Sequence, residues 1–528
     1  MMLKAYKQII EIWDRVRKFV ILIVLWEILG KFELVSSGAL PALSEIIIRL
    51  WQDKSEYPEH ILATLQGASY GFIIGNILAI MAGVLFILFP WTHKISRGLN
   101  ITLFALPPIA IAPILSLTLS GIAPRVVLAA LGCYFVSMTA TVVGLSQSDQ
   151  GTEELIRAYG GKKFKILRFV SWRRALPAIL SGLRVAAPNA VLGAILAEFG
   201  SGGRWGLGSY LLGSLGRGEP ERLWGIGLVA TAISGLTYYL FYAISTNFSA
   251  TSRFLNIGNA LPQEDKIHEK RFSTKILIGS ISFLIPFLVW YSFIQILEVP
   301  QMIGKTPLAV IEYLFFHSNS EISQAKLLAA LFETLPITLV GMFAGLMTAF
   351  CLAIGTRLFP ELIKTLMPIA LISQTMPLVA LTPLLVLLLG RGVNVILWIT
   401  ISVTFFPAFV TMVQGIQMVP KTTIDFPRAY AASPWTEMRF VIIPASMPYL
   451  FAATRLTAPR ALLGVMIAEW LATGTGLGNL MNQSRGYIDF GMIWTIAAVS
   501  VIISVLFYQT VVVLERQVLG RLGMVTVE

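Results

Sequence analysis

The sequence predicts an all-α, polytopic membrane protein of about 12 transmembrane helices arranged as two parallel six-helix repeats. Three observations carry that prediction. Composition is the first: of 528 residues only 13% are charged and 56% are hydrophobic, with a mean hydropathy of +0.76. A soluble surface normally needs about 25% charge. Soluble, secreted disulfide-framed, fibrous and disordered classes are thereby excluded.

The second observation is the set of apolar runs near residues 19–35, 62–89, 101–120, 124–145, 179–199 and 223–245, followed by 276–297, 334–358, 366–389, 393–416, 449–471 and 490–514. Backbone polar groups in hydrocarbon must be satisfied within their own segment, so runs of this length are helices. The first run follows Lys4, Lys7, Arg15, Arg17 and Lys18 and imitates a signal peptide. No small-residue cleavage site follows, so it reads as an uncleaved first span. Residues 41–54 place Ile46, Ile47, Leu50 and Trp51 on a helical period, which suits an outer interfacial helix. Lys and Arg concentrate in the segments that are cytoplasmic when both termini are inside. The net charge of +12 then faces an anionic leaflet and calls for no nucleic acid.

Internal repetition is the third. Thr64-Leu65, Gly71, Gly75 and Phe89-Pro90 recur as Thr334-Leu335, Gly341, Gly345 and Phe359-Pro360, an offset of 270. Pro107, Ala110 and Pro113 recur at Pro377, Ala380 and Pro383. Beyond one inserted residue the offset becomes 271, pairing Arg168-Phe169-Val170, Arg184 and Ala197-Glu198 with Arg439-Phe440-Val441, Arg455 and Ala468-Glu469. An even number of spans per copy starts both copies on the same side, so the repeats are parallel and the interface between them is the natural pathway. The domains are therefore residues 1–245, a cytoplasmic linker 246–275, and residues 276–528.

Each half holds one long non-apolar cytoplasmic stretch, at 146–178 and 417–448. In the first, Thr152 is placed to cap a short helix with Glu153 and Glu154 in its first turn and Gly160-Gly161 at its end. In the second, Thr422 and Asp425 have capping-box spacing, Pro427 is tolerable in a first turn, and Ser433-Pro434 is a stop signal. Two such helices on one membrane face form a pair of handles for a two-fold cytoplasmic motor. Cys133, Cys351 and the scattered His60, His93, His268 and His317 offer no metal-ligand spacing. Gly304-Lys305-Thr306 lacks the earlier glycine of a P-loop, Val299 standing in its place, so the chain carries no nucleotide site.

Residues 154–177, from Glu154-Leu155-Ile156-Arg157-Ala158-Tyr159-Gly160 to Leu176-Pro177, and residues 425–448, from Asp425-Phe426-Pro427-Arg428-Ala429-Tyr430-Ala431 to Met447-Pro448, resemble the EAA loop of ABC importer permeases. Ala197-Glu198 with Gly206-Leu207-Gly208, and Ala468-Glu469 with Gly476-Leu477-Gly478, resemble the nitrate, taurine and aliphatic-sulfonate branch of that family. The resemblance implies a type I importer fold in a bacterial inner membrane, two units fused in one chain. It further implies two cytoplasmic ABC ATPase subunits, which bind ATP and Mg and leave this chain without a cofactor, and an extracytoplasmic solute-binding protein. The residues it makes ATPase-coupling are Glu154, Ala158 and Gly160 with Asp425, Ala429 and Ala431. Leu155-Ile156 and Phe426-Pro427 replace the two alanines of the motif, and Ala431 replaces its glycine, so the loops are expected to grip unequally.

Pathway candidates come from the repeats. Glu198 and Glu469 end the fifth spans; ionisable groups at membrane depth default to function. The other reading is an interfacial carboxylate that pairs with an arginine or caps the glycine-rich loop. Pro107, Pro113, Pro377 and Pro383 are expected to bend the third spans, and Ser373 and Gln374 add a polar patch in the second half only. Arg184, Arg455 and Arg460 lie near cytoplasmic span ends and are expected to snorkel, with holding an anion as the other reading. The function expected is ATP-driven import of a small, anionic solute. Alternatives are a gradient-driven transporter of the major facilitator type and, within the class, a fused ferric-iron permease.

Overall fold

A computed structural model describes residues 17, 20–21, 23–35, 38–147, 150–201, 203–248, 272–359, 363, 366–367, 370 and 378–523. The first repeat runs through helical residues 23–31 (α1), α2 (Leu43–Gln52), α3 (Tyr57–Leu88), α4 (Pro90–Ala105), α5 (Pro108–Thr118) and α6 (Ala123–Ser146). It continues with α7 (Gln150–Ala158), α8 (Lys163–Ile166), α9 (Trp172–Ser201), α10 (Leu207–Arg217) and α11 (Pro220–Phe248). The second repeat holds α12 (Phe272–Ile296), α13 (Pro307–Phe315), α14 (Ser320–Leu358), α15 (Leu378–Leu389), α16 (Val393–Met418) and α17 (Lys421–Ala429). It ends with α18 (Pro434–Glu437), α19 (Ile443–Ala468), α20 (Gly476–Gly486) and α21 (Phe490–Arg521).

Among the described residues, nine helices are long and apolar enough to cross a membrane, or ten if the bent pair α4 and α5 is one span. The protein is an all-α, multi-pass membrane protein. The expected spans at 19–35 and 366–389 fall partly on residues outside the description, as do most of the linker and Ser373, Gln374 and Pro377. The third apolar run, 101–120, is sharply bent at Pro107. Leu106 and Pro107 are extended, and α4 meets α5 at 96°. Pro107 and Pro108 have no N–H to continue the ladder of α4.

Lipid tails give no hydrophobic reward for joining two helices, so close packing of small residues holds them together. A methyl group at Gly71 or Gly75 of α3 would overlap Ala129 or Ala130 of α6. Gly341 and Gly345 of α14 are closed in the same way by Thr400 and Thr404 of α16. The fifth span of each repeat enters through one π-helical turn, Leu167–Ser171 before α9 and Met438–Ile442 before α19.

The repeats also exchange contacts. Helix α12 crosses α4, where the Gly98 amide donates to Ser282 Oγ at 2.7 Å, and Phe104 of α4 meets Tyr508 of α21 with ring centroids 5.8 Å apart. A matching tryptophan latch pins the first span of each half. Trp26 Nε1 donates to the Pro41 carbonyl and Trp224 Nε1 to that of Ala39, at 3.1 and 3.0 Å, and the two rings touch edge on. In the second half Trp290 donates to Lys305 and Trp494 to Ile303, at 3.1 and 2.8 Å, with the rings stacked.

Candidate functional site

A cavity of about 210 Å³ lies between the repeats, lined from α4, α5, α6 and α9 on one side and α15, α16 and α19 on the other. Repeat mates face one another across it: Gly132 with Ser402, Leu192 with Leu463, and Asn189 with Arg460. The walls are otherwise apolar, including Phe104, Phe135 and Phe406. Among the described residues no carboxylate pairs with Arg460. A cation facing a cavity at membrane depth without a counter-charge is costly unless a ligand satisfies it.

The expected snorkelling is corrected for all three arginines. Arg460 lines the cavity, nearer the Glu469 end of α19 than its start. Arg455 Nη1 pairs with Glu515 Oε2 at 3.1 Å. Arg184 donates to the Tyr238 hydroxyl, its Cζ lying 4.2 Å from the Tyr238 ring centre and 4.5 Å from that of Tyr242.

Glu198 and Glu469 are 0% and 1% exposed and do not line the cavity. Each is the centre of a lock. Thr64 Oγ1 donates to Glu198 Oε1 at 2.8 Å while accepting from the Leu207 amide at 2.9 Å, and the Gly208 amide donates to Glu198 Oε2 at 2.7 Å. The second copy repeats this with Thr334, Leu477 and Gly478 around Glu469, at 2.7, 2.9 and 2.9 Å. A methyl at Gly206 or Gly476 would overlap the carboxylate, which is why the loop reads Gly-Leu-Gly. The copies differ at the rim. Arg125 Nε lies 3.6 Å from Glu198 Oε1, whereas its mate is Val395; Gly476 instead donates to Glu333 at 2.7 Å. This geometry has the form of the second reading, a buried carboxylate that fastens the glycine-rich loop, and neither carboxylate lines the cavity. Pro113 and Pro383 lie inside α5 and α15, also off the cavity, while Pro107 stands at the α4–α5 break beside the lining Pro108.

The expected handles are α7 and α17. Glu154, Ala158, Gly160, Asp425, Ala429 and Ala431 are all exposed, as are the repeat-related Tyr159 (85%) and Tyr430 (77%). Gly160 and Ala431 both turn left-handed, with φ of 73° and 54°, so the turn survives loss of its glycine. Local expectations change in three places. Thr152 and Thr422 lie inside their helices, because α7 starts at Gln150 and α17 follows Pro420. Pro427 sits in the last turn of α17 and not in its first, where it leaves the Thr423 carbonyl without its intrahelical donor. Ser433 does not stop α17; it caps α18, accepting from the Thr436 amide at 3.2 Å.

The family model described as "Binding-protein-dependent transport system inner membrane component" matches twice, at residues 75–253 and 340–520. The chain belongs to this family. It is an ABC transporter permease component with two permease domains, and the family is not an ATPase family. A probable ABC transporter permease protein of Haemophilus influenzae is 26% identical over 221 residues, covering 42% of this chain and 88% of that protein. The riboflavin transport system permease protein RibX of Chloroflexus aurantiacus is 31% identical over 153 residues, 29% of this chain and 57% of RibX. The formylaminopyrimidine transport permease protein ThiX of Halalkalibacterium halodurans is 21% identical over 234 residues, 44% of this chain and 91% of ThiX. Each match covers under half of this permease, as one domain of a doubled chain would. None of these three is named for nitrate or a sulfonate, and the gradient-driven and ferric-iron alternatives gain no support. Sequence reasoning missed Asn189 altogether; its only signal was its alignment with Arg460 at offset 271.

Proposed function

We propose that this permease is the membrane subunit of an ATP-driven importer for a small anionic solute, with both termini cytoplasmic. Two cytoplasmic ATPase subunits, which bind ATP with Mg, grip α7 and α17 through Glu154, Ala158, Gly160, Asp425, Ala429 and Ala431, and an extracytoplasmic binding protein delivers the solute. The observation that supports the solute reading is Arg460, a cation in the inter-repeat cavity with no carboxylate partner among the described residues. Alternating access needs each state to be favoured by a different partner interaction, and the two handles sit where such a partner would act. The relatives' names point to several different solutes, so the cavity is the better guide; nitrate, sulfonates, taurine and bicarbonate all satisfy the charge.

The test is uptake by the assembled transporter in proteoliposomes. Gly160→Asp with Ala431→Asp fits the left-handed turns and adds a charge to each handle; the pair is expected to abolish ATPase association while the membrane fold survives. Normal association in that variant contradicts the coupling assignment. Arg460→Gln is expected to raise the KM for solute uptake at least about tenfold while ATPase association persists, and unchanged uptake contradicts the anionic reading.

A further inference from the structure

The cavity that holds Arg460 is chemically one-sided. Arg460 and the Asn189 amide are its hydrogen-bond donors among the described lining side chains. Ser402 adds only lone pairs, because its hydroxyl already donates to the Trp398 carbonyl at 2.8 Å. The lining also holds rings: Phe104 and Phe135 lie with centroids 4.2 Å apart and planes inclined by 32°, and Phe406 enters from the other repeat.

A small inorganic oxyanion is polar over its whole surface and loses hydration on every side when buried, so it needs donors all around it. Among the described lining side chains, Arg460 and Asn189 are the donors, and most of the rest are apolar. An aromatic face, by contrast, gains from contact with other rings beyond its area alone. The volume of about 210 Å³ is ample for a single ring with a head group.

We propose that the solute is an organic anion with a carboxylate- or sulfonate-type head at Arg460 and Asn189 and a ring-sized apolar body against Phe104, Phe135 and Phe406. This rests on the anionic reading of the same cavity and narrows it: free nitrate and bicarbonate are not the cargo. Arg460 fixes the head by paired N–H donors, and Asn189 completes it from the opposite repeat.

The experiment uses the purified full chain in a non-ionic detergent and follows its thermal unfolding midpoint with benzenesulfonate, benzoate, nitrate or bicarbonate at equal ionic strength. A ligand that binds the folded state raises the midpoint. Benzenesulfonate and benzoate are expected to raise it at concentrations where nitrate and bicarbonate have no effect. Arg460→Gln is expected to remove the shift, Arg460→Lys to keep part of it, and Phe406→Ala to raise the benzenesulfonate concentration required by roughly tenfold. Nitrate protecting as well as benzenesulfonate, through Arg460, overturns the organic-anion proposal and leaves the anion site standing. A benzenesulfonate shift that survives Arg460→Gln overturns both. Absence of any shift with both aromatic anions in the unaltered chain overturns the proposal as well.

Discussion

Asn189 and Arg460 are repeat mates, 271 positions apart, and they line one cavity from opposite sides. Duplication has given the pathway two equivalent seats and placed a charge in only one. Because the seats are related by the repeat, moving the charge across should preserve an anion site. Arg460→Asn is expected to raise the KM for uptake by about 10- to 150-fold, the equivalent of ~1.5–3 kcal/mol for hydrogen bonds to a charged group. Adding Asn189→Arg to that variant is expected to recover most of the loss. Uptake kinetics of the assembled transporter decide it, and a double variant no better than the single one refutes the equivalence.

The two glycine-loop locks should not be equally sensitive. Glu198→Gln leaves the half-buried Arg125 without its carboxylate, while Glu469→Gln strands no cation, since Val395 stands in the arginine's place. Breaking a buried pair from one side costs about 3 kcal/mol or more, and losing a neutral hydrogen bond about 1 kcal/mol. Thermal unfolding is expected to rank Glu198→Gln well below Glu469→Gln. The reverse order would show that the Arg125 contact is incidental.

Ala431 holds a left-handed φ of 54° where its mate Gly160 has 73°. A side chain in that region costs ~1–2 kcal/mol, partly offset by the extra freedom that glycine has when unfolded. Ala431→Gly is therefore expected to stabilise the handle by up to about 1 kcal/mol, and Gly160→Ala to destabilise it similarly, with open space at Gly160 ruling out a clash. Hydrogen exchange of the α7 and α17 amides reads the difference directly. Slower exchange in Gly160→Ala would contradict the argument.

Asp53 closes α2 and takes two bonds from Arg222, at 2.7 and 2.8 Å, with Arg49 at 3.0 Å. Burial opposes its ionisation, but hydrogen bonding and charge from Arg222, then Arg49, outweigh it and hold the carboxyl below its usual 3.8. A depressed folded pKa contributes stability that is present above the unfolded value and is lost as pH falls through the folded one. Unfolding midpoints are thus expected to fall on acidification below 3.8 in the unaltered chain. Asp53→Asn is expected to lose about 3 kcal/mol near neutral pH and to show a flatter acid branch. An identical acid branch in both would remove Asp53 from the account.

The spans were legible because period and length are written in single residues, and the doubling was legible from about residue 64 onward. It was not legible before that. Trp26, Pro41 and Ile46 match Trp290, Lys305 and Val310 at an offset of 264, and the greater length of α14, 39 residues against 32 in α3, hides them from a search at 270. Helix α13 went unseen for that reason. Arg460 was misplaced because depth along a span is a tertiary fact: the sequence shows an arginine in an apolar run, and only packing decides whether it faces lipid, a partner or a cavity. The glycine-loop carboxylates were ambiguous because their donors, Thr64 and Thr334, lie 134 and 135 positions away.

The handles are also fastened differently. Arg428 Nε donates to Glu437 Oε2 at 2.8 Å, and Arg357 Nη2 to Glu437 Oε1 at 3.2 Å, tying α17 to the end of α14. In the first half the mates of Glu437 and Arg357 are Ile166 and Ile87, and Arg157 pairs within its own helix with Glu153 at 3.1 Å. Both arginines of the clamp reach water, so it contributes little to global stability. Its consequence is local: α17 should move with α14, through an ion pair that the mates Ile166 and Ile87 cannot form for α7. Glu437→Gln is expected to leave the unfolding midpoint nearly unchanged, to speed amide exchange across α17 severalfold, and to leave α7 untouched. Because force from an ATPase must pass through a handle that is attached to something, the same variant is expected to lower transport per ATP hydrolysed more than it lowers ATPase association. Equal exchange in α17 with and without Glu437 would mean that the clamp does not hold the handle.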